Sequence, residues 1–148
     1  MTLEVAVRYR TRRPWAPAPR TLRSWARLAA GVRHGELGIR IVGSAESRAL
    51  NARFRGRENA TNVLSFPAAP VRGPRRRPLG DIVVCAPLLA REARLQHKPL
   101  RAHWAHIVIH GSLHLLGFDH ARAADARRME NRERRLLAQL GFADPYGA

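Results

Sequence analysis

Residues 3–9, Leu-Glu-Val-Ala-Val-Arg-Tyr, alternate apolar and polar, the period of a strand with one buried face. Residues 10–20 carry Pro14, Pro17, Pro19 and four arginines, and read as a loop. From 21 to 30, Leu22, Trp25, Leu28 and Ala29 recur at helical spacing, and Gly31 supplies a stop. Gly38-Ile-Arg-Ile-Val42 reads as a second strand. Ser44 then offers a helix N-cap, although Ser47 stands where a capping box has Glu. That helix is expected to turn Ala45, Ala49, Leu50 and Phe54 inward and to stop at Gly56. Residues 62–66 form a third strand, ended by Pro67, and 68–78 form a loop rich in Pro and Arg, with Arg75, Arg76 and Arg77 in a row. Residues 79–85 predict a fourth, more buried strand, and Pro87 suits the first turn of a helix reaching about Gln96. The most apolar helix spans about 100–116. The last spans about 121–140, with Ala124, Met129, Leu136, Leu137 and Leu140 inward and Gly141 as its stop. Strands and helices mix without strict alternation, which predicts an α+β fold: one small mixed sheet of about four strands with helices packed on it.

The chain has 148 residues, the length of about one domain, so 1–148 is read as a single unit. Hydrophobic residues at 45% and charged residues at 26% are globular proportions, which argues against a disordered chain. No apolar run reaches the ~20 residues of a membrane span, so no membrane association is expected. The opening residues lack the basic-then-apolar layout of a leader. Cys85 is the only cysteine, which excludes an intramolecular disulfide and a cysteine-rich zinc site. A cytoplasmic location is the expectation. In its apolar strand Cys85 reads as a buried, inert thiol. Charge changes the picture: 27 basic against 11 acidic residues give +16, and Lys98 is the only lysine. Arginine favours planar, bidentate phosphate contacts, so a nucleic acid is the expected partner class. An arginine- and alanine-rich composition of genomic origin is the plainer alternative.

Five of the seven histidines lie between 103 and 120. In His110-Gly-Ser-Leu-His-Leu-Leu-Gly-Phe-Asp-His120, the first two histidines are i, i+4, one turn apart on one helix face. Gly117 can turn the chain back, and His120 can return as a third ligand. Three imidazoles leave a zinc ion an open fourth position, the catalytic arrangement. His106, His110 and His114 share the same spacing, but eight residues of helix separate the outer two by ~12 Å, too far to converge on one ion. His103 and His106 remain as packing groups, supports behind a ligand, or groups facing substrate. The spacing is that of the long metzincin motif, which needs Glu after the first His as general base; here that residue is Gly111. Either the chemistry is not peptide hydrolysis, or another group supplies the base. Asp119 could orient a ligand histidine or cap the last helix. Trp104 reads as core.

With these residues in hand, the chain resembles the bacterial endoribonuclease YbeY family. Leu50-Asn-Ala-Arg-Phe-Arg55, Thr61-Asn-Val-Leu-Ser-Phe-Pro67, Leu79-Gly-Asp-Ile82 and Ala102-His-Trp-Ala-His106 precede the histidine motif in the family's order. Met129, Glu133, Gly141 and Pro145-Tyr146 continue it. The resemblance is specific over about 45–146 and loose before that. It implies a zincin-like α+β fold and one zinc ion per chain on His110, His114 and His120; a three-histidine site also accepts other divalent ions such as nickel. It implies single-strand-specific RNA cleavage in maturation of the small-subunit rRNA 3′ end, with rRNA, the small ribosomal subunit and assembly factors as partners and no small-molecule cofactor. The family's functional arginine falls on Arg55, a candidate fork for the phosphoryl oxygens. Two departures stand out: Asn62 replaces the Asp of many relatives, and the Arg75–77 loop is unusually basic. The attacking group is either water or the neighbouring ribose 2′-hydroxyl. The competing readings are a metal-dependent hydrolase of another class on a metzincin-like scaffold, and a non-catalytic, zinc-stabilised ribosome-assembly factor.

Overall fold

The computed structural model describes residues 2–11, 14–69 and 77–147. Nine elements follow in chain order: β1 (Leu3–Tyr9), α1 (Pro19–Ala30), β2 (Gly35–Val42), α2 (Ser44–Arg55), β3 (Val63–Pro67), β4 (Pro78–Cys85), α3 (Ala86–Leu95), α4 (Leu100–Leu115) and α5 (Ala123–Gln139). The strands form one sheet in the order β1-β2-β4-β3. β1 and β4 flank β2 in parallel, and β3 runs antiparallel along β4. The fold is the α+β arrangement that the pattern predicts.

Strand alternation divides the interior in two. Ile39, Ile41, Ile82 and Val84 face the main core, where they meet Leu22 and Trp25 of α1 and Trp104, Val108 and Leu113 of α4. Val42, Val83 and Cys85 face the other way, toward a smaller cluster with Leu50 of α2 and Leu88 of α3. α4 thus lies in the main layer between the sheet, α1 and α5. It is apolar almost all round, as a helix buried on most sides must be. Trp104 and Cys85 are buried, as the sequence predicts.

Several local expectations change. β2 begins at Gly35, earlier than expected, because its pairing with β1 starts at Leu3. Gly43, not Ser44, is the N-cap of α2, and no side chain caps it. The buried face of α2 carries Ser47 and Asn51, while Phe54 is 55% exposed and leans on Phe66. α5 starts at Ala123, and Ala124 is exposed, because the preceding turn extends further than its sequence suggested. Arg77 precedes β4 directly, whereas Arg75 and Arg76 lie outside the described residues.

Candidate active site

α4 ends in a Schellman motif. Gly117 N–H donates to the His114 carbonyl at 3.1 Å and Phe118 N–H to the Leu113 carbonyl at 3.0 Å. Gly117 sits at φ 103°, a conformation that disfavours any side chain. The chain leaves the helix there and doubles back. Asp119 Oδ1 accepts the His120 and Ala121 N–H groups at 2.7 and 3.3 Å, which fixes this turn. Asp119 thus closes the turn itself; the N-cap of α5 is Arg122.

The result is convergence. His110, His114 and His120 each bring a ring nitrogen within 4.8 Å of the other two. The ring centroids lie 4.8 Å apart for His110–His114 and 4.7 Å for His114–His120. Burial first, then the neighbouring imidazoles of His110 and His120, push His114 below the usual histidine value. That direction favours the unprotonated ring a metal ligand needs.

Behind His110 lies a group that pattern reasoning did not assign. Glu133 of α5 is 0% exposed. Its Oε1 accepts His110 Nδ1–H at 2.9 Å and His106 Nε2–H at 3.0 Å, and its Oε2 accepts the Tyr146 hydroxyl at 2.9 Å. Burial alone would raise this carboxyl. The hydrogen bonds and charge of His106 and His110 outweigh it and hold the carboxyl down at about 2. A proton on His110 Nδ1 leaves the Nε2 lone pair free, the tautomer a ligand requires. His106, His110 and Glu133 are also near enough to form a donor set, but their short contacts are hydrogen bonds within a packed cluster. The set His110, His114 and His120 fits a divalent ion of zinc or nickel type: three converging nitrogens, one already oriented by a carboxylate.

His103 belongs to a different cluster. Its Nε2–H donates to Glu92 Oε1 at 2.9 Å, and Asn62 Nδ2–H reaches the same carboxylate at 3.3–3.4 Å. Arg55 closes α2 and is exposed. Among the described residues no hydrogen bond, ion pair or ring contact joins it to the three histidines. The sequence did hold a signal for Glu133: with Met129, Leu136 and Leu137 it shares the apolar stripe of α5. A carboxylate on such a stripe needs partners.

The chain is similar to known proteins along most of its length. Residues 19–141 match the family described as Endoribonuclease YbeY. Among curated relatives, the Endoribonuclease YbeY of Stenotrophomonas maltophilia (strain R551-3) is 47% identical, covering 97% of this chain and 93% of its own. That of Halorhodospira halophila is 52% identical over 88% of each chain. That of Alkalilimnicola ehrlichii is 53% identical over 88% of this chain and 82% of its own. The solution structure of TM1509 from Thermotoga maritima shares the fold, with a TM-score of 0.55, 20% identity, and coverage of 97% of this chain and 99% of the other. With about half of its residues identical to these relatives over most of its length, the chain belongs to the endoribonuclease YbeY family.

Proposed function

We propose that this protein is a metal-dependent endoribonuclease. It cuts single-stranded RNA in the cytoplasm during maturation of the small-subunit rRNA 3′ end, with the small ribosomal subunit and its assembly factors as partners. The observation that carries the reading is the convergence of His110, His114 and His120 with His110 oriented by buried Glu133. The curated relatives named as endoribonucleases supply the reaction class. The net charge of +16 suits a polyanionic substrate.

His110, His114 and His120 would hold one zinc ion, which supplies Lewis-acid polarisation of a phosphoryl oxygen when bound. Glu133 keeps the His110 ring in register through Nδ1–H, and His106 and Tyr146 keep Glu133 in place. Arg55, exposed at the end of α2, would meet the phosphoryl oxygens and offset the charge that builds as the P–O bond breaks. The attacking oxygen, from water or from the ribose 2′-hydroxyl, is identified by the product ends, since attack by the 2′-hydroxyl leaves a cyclic phosphate. A protease on this scaffold is disfavoured. Gly111 has no base to offer, and a Cβ there would lie 2.9 Å from the Ile82 side chain, so position 111 faces the sheet.

The test is cleavage of single-stranded rRNA by the purified protein, with and without chelator, beside His114→Ala and Arg55→Glu prepared identically. The expected result is cleavage by the wild type alone, with Arg55→Glu retaining its zinc. If all four behave alike, the nuclease reading falls and a zinc-stabilised assembly factor takes its place. Loss of zinc from Arg55→Glu would overturn the role given to Arg55.

A further inference from the structure

Three shallow grooves, of about 470, 310 and 440 Å³, meet on the turn between His114 and His120. Arg33, just beyond α1, lines all three. It is pinned to the turn, because its Nη1 donates to the Leu116 carbonyl at 2.7 Å. On one side the furrow continues along α5 past Arg128, Arg132 and Arg135. These fall at i, i+4 and i+7, one face of the helix. On the other side it runs past His34 to Arg77 at the start of β4. Arginines from three separate stretches of chain are therefore lined up against the segment that carries His120.

Among the described residues, little balances this charge. Asp119 and Asp125 line the middle groove. Asp119 Oδ1 is occupied by two backbone N–H groups, and Asp125 pairs with Arg128 at 3.8 Å across an exposed surface. Arg77, Arg132 and Arg135 make no ion pair among the described residues. Like charges one turn apart on a helix repel. A row of guanidinium groups in a concave surface, of which only Arg128 has an acidic partner among the described residues, concentrates an anion, and the planar fork of arginine suits phosphate oxygens.

We propose that this furrow binds the sugar–phosphate backbone of single-stranded RNA on one side of the scissile bond, with Arg33, Arg77, Arg128, Arg132 and Arg135 as phosphate contacts. The proposal rests on the endoribonuclease reading and adds to it the path of the substrate. It concerns affinity and register, because phosphate contacts carry no base sequence.

The experiment measures binding of an unstructured 16-nucleotide RNA by fluorescence anisotropy across a potassium chloride series, with chelator present to prevent cleavage. Wild type is compared with the triple variant Arg128→Gln, Arg132→Gln, Arg135→Gln. The charge-matched control is Arg48→Gln, Arg91→Gln, Arg94→Gln, on the exposed faces of α2 and α3. Three lost phosphate contacts should flatten the slope of log affinity against log salt by about 2, at roughly 0.7 per contact on a single strand. Affinity at low salt should fall at least tenfold, with melting temperature and zinc content unchanged. The control should keep the wild-type slope. Equal slopes for the triple variant and wild type overturn the proposal, and so does an equal loss in the control, which would make the effect one of net charge. Cleavage by the wild type is read separately, without chelator. A protein that cuts RNA but binds it independently of the α5 arginines loses only the furrow; one that neither binds nor cuts loses the nuclease reading.

Discussion

Glu133 accepts three hydrogen bonds from two imidazoles and a phenol while fully shielded from water. Removing it leaves two part-buried imidazoles and the Tyr146 hydroxyl without their acceptor, at a cost of up to about 1–3 kcal/mol. It also frees His110 to rotate or change tautomer. Glu133→Ala is therefore expected to weaken zinc binding by roughly 10–100-fold, the usual effect of losing the group behind a ligand. Glu133→Gln, which retains one acceptor oxygen, should recover part of that loss. Competition against a chromogenic chelator measures it, and unchanged affinity in Glu133→Ala would reduce the residue to a packing role. The three histidines were legible in the sequence because their grouping depends on helix period and one glycine turn, both local. Glu133 was not assigned from pattern because its partners lie 23 and 27 residues away. Gly111 was legible only as an absence of a base. The structure adds the reason: Ile82 occupies the space a side chain would need.

At the scale of elements, pattern served best where one face is apolar and the other wet. The strands and α4 follow from alternation and from continuous hydrophobicity. α2 did not, because its interior face is polar. Ser47 Oγ donates to the Thr61 carbonyl at 2.9 Å and accepts the Thr61 N–H at 3.1 Å, and Asn51 Nδ2–H donates to the Asn59 carbonyl at 2.7 Å. These side chains supply partners for backbone groups of Asn59 and Thr61, in the segment between α2 and β3. No hydrophobic periodicity announces such a face: of the residues expected inward, Leu50 does pack on the smaller cluster, but Ala45, Ala49 and Phe54 are exposed. Asn51→Ala should destabilise the protein by about 1–3 kcal/mol, because it leaves the Asn59 carbonyl unpaired in a part-buried site. Urea unfolding measures the loss, and amide exchange should quicken at residues 57–62, while zinc affinity stays at the wild-type value. A variant as stable as the wild type would show that water replaces the Asn51 contact without cost. Arg55 projects from the end of this same helix, so the polar face of α2 also holds the last turn that presents it.

Across the whole molecule, Glu92 joins parts of the fold that are distant in sequence. From α3 it accepts hydrogen bonds from His103 of α4 and from Asn62, which leads into β3. Asn62 thus has a structural use even though it brings no carboxylate to the site. Burial opposes the charge on Glu92, but the hydrogen bonds from His103 and Asn62 and the nearby positive charges prevail, and the carboxyl lies below its ordinary value. A carboxyl whose folded pKa is depressed binds its proton more readily in the unfolded chain. Its contribution is thus fully present above the ordinary carboxylate range and is lost as pH falls through the folded value. Acidification also makes an already positive chain more so, since formal net charge at pH 7 is +16. Stability should therefore decline steeply below about pH 5, in the range where carboxylates that are paired in the native state take up protons. Glu92→Gln isolates the share that belongs to this junction. The variant should be less stable than wild type near neutrality, and the gap should close as pH falls below the usual carboxylate range, because the wild type then loses the same charge. Urea midpoints between pH 7 and pH 3 give the comparison. A gap that stays constant with pH would mean that Glu92 contributes by shape and hydrogen bonding alone, and that the junction between the edge strand and the histidine-bearing helix α4 does not depend on its charge.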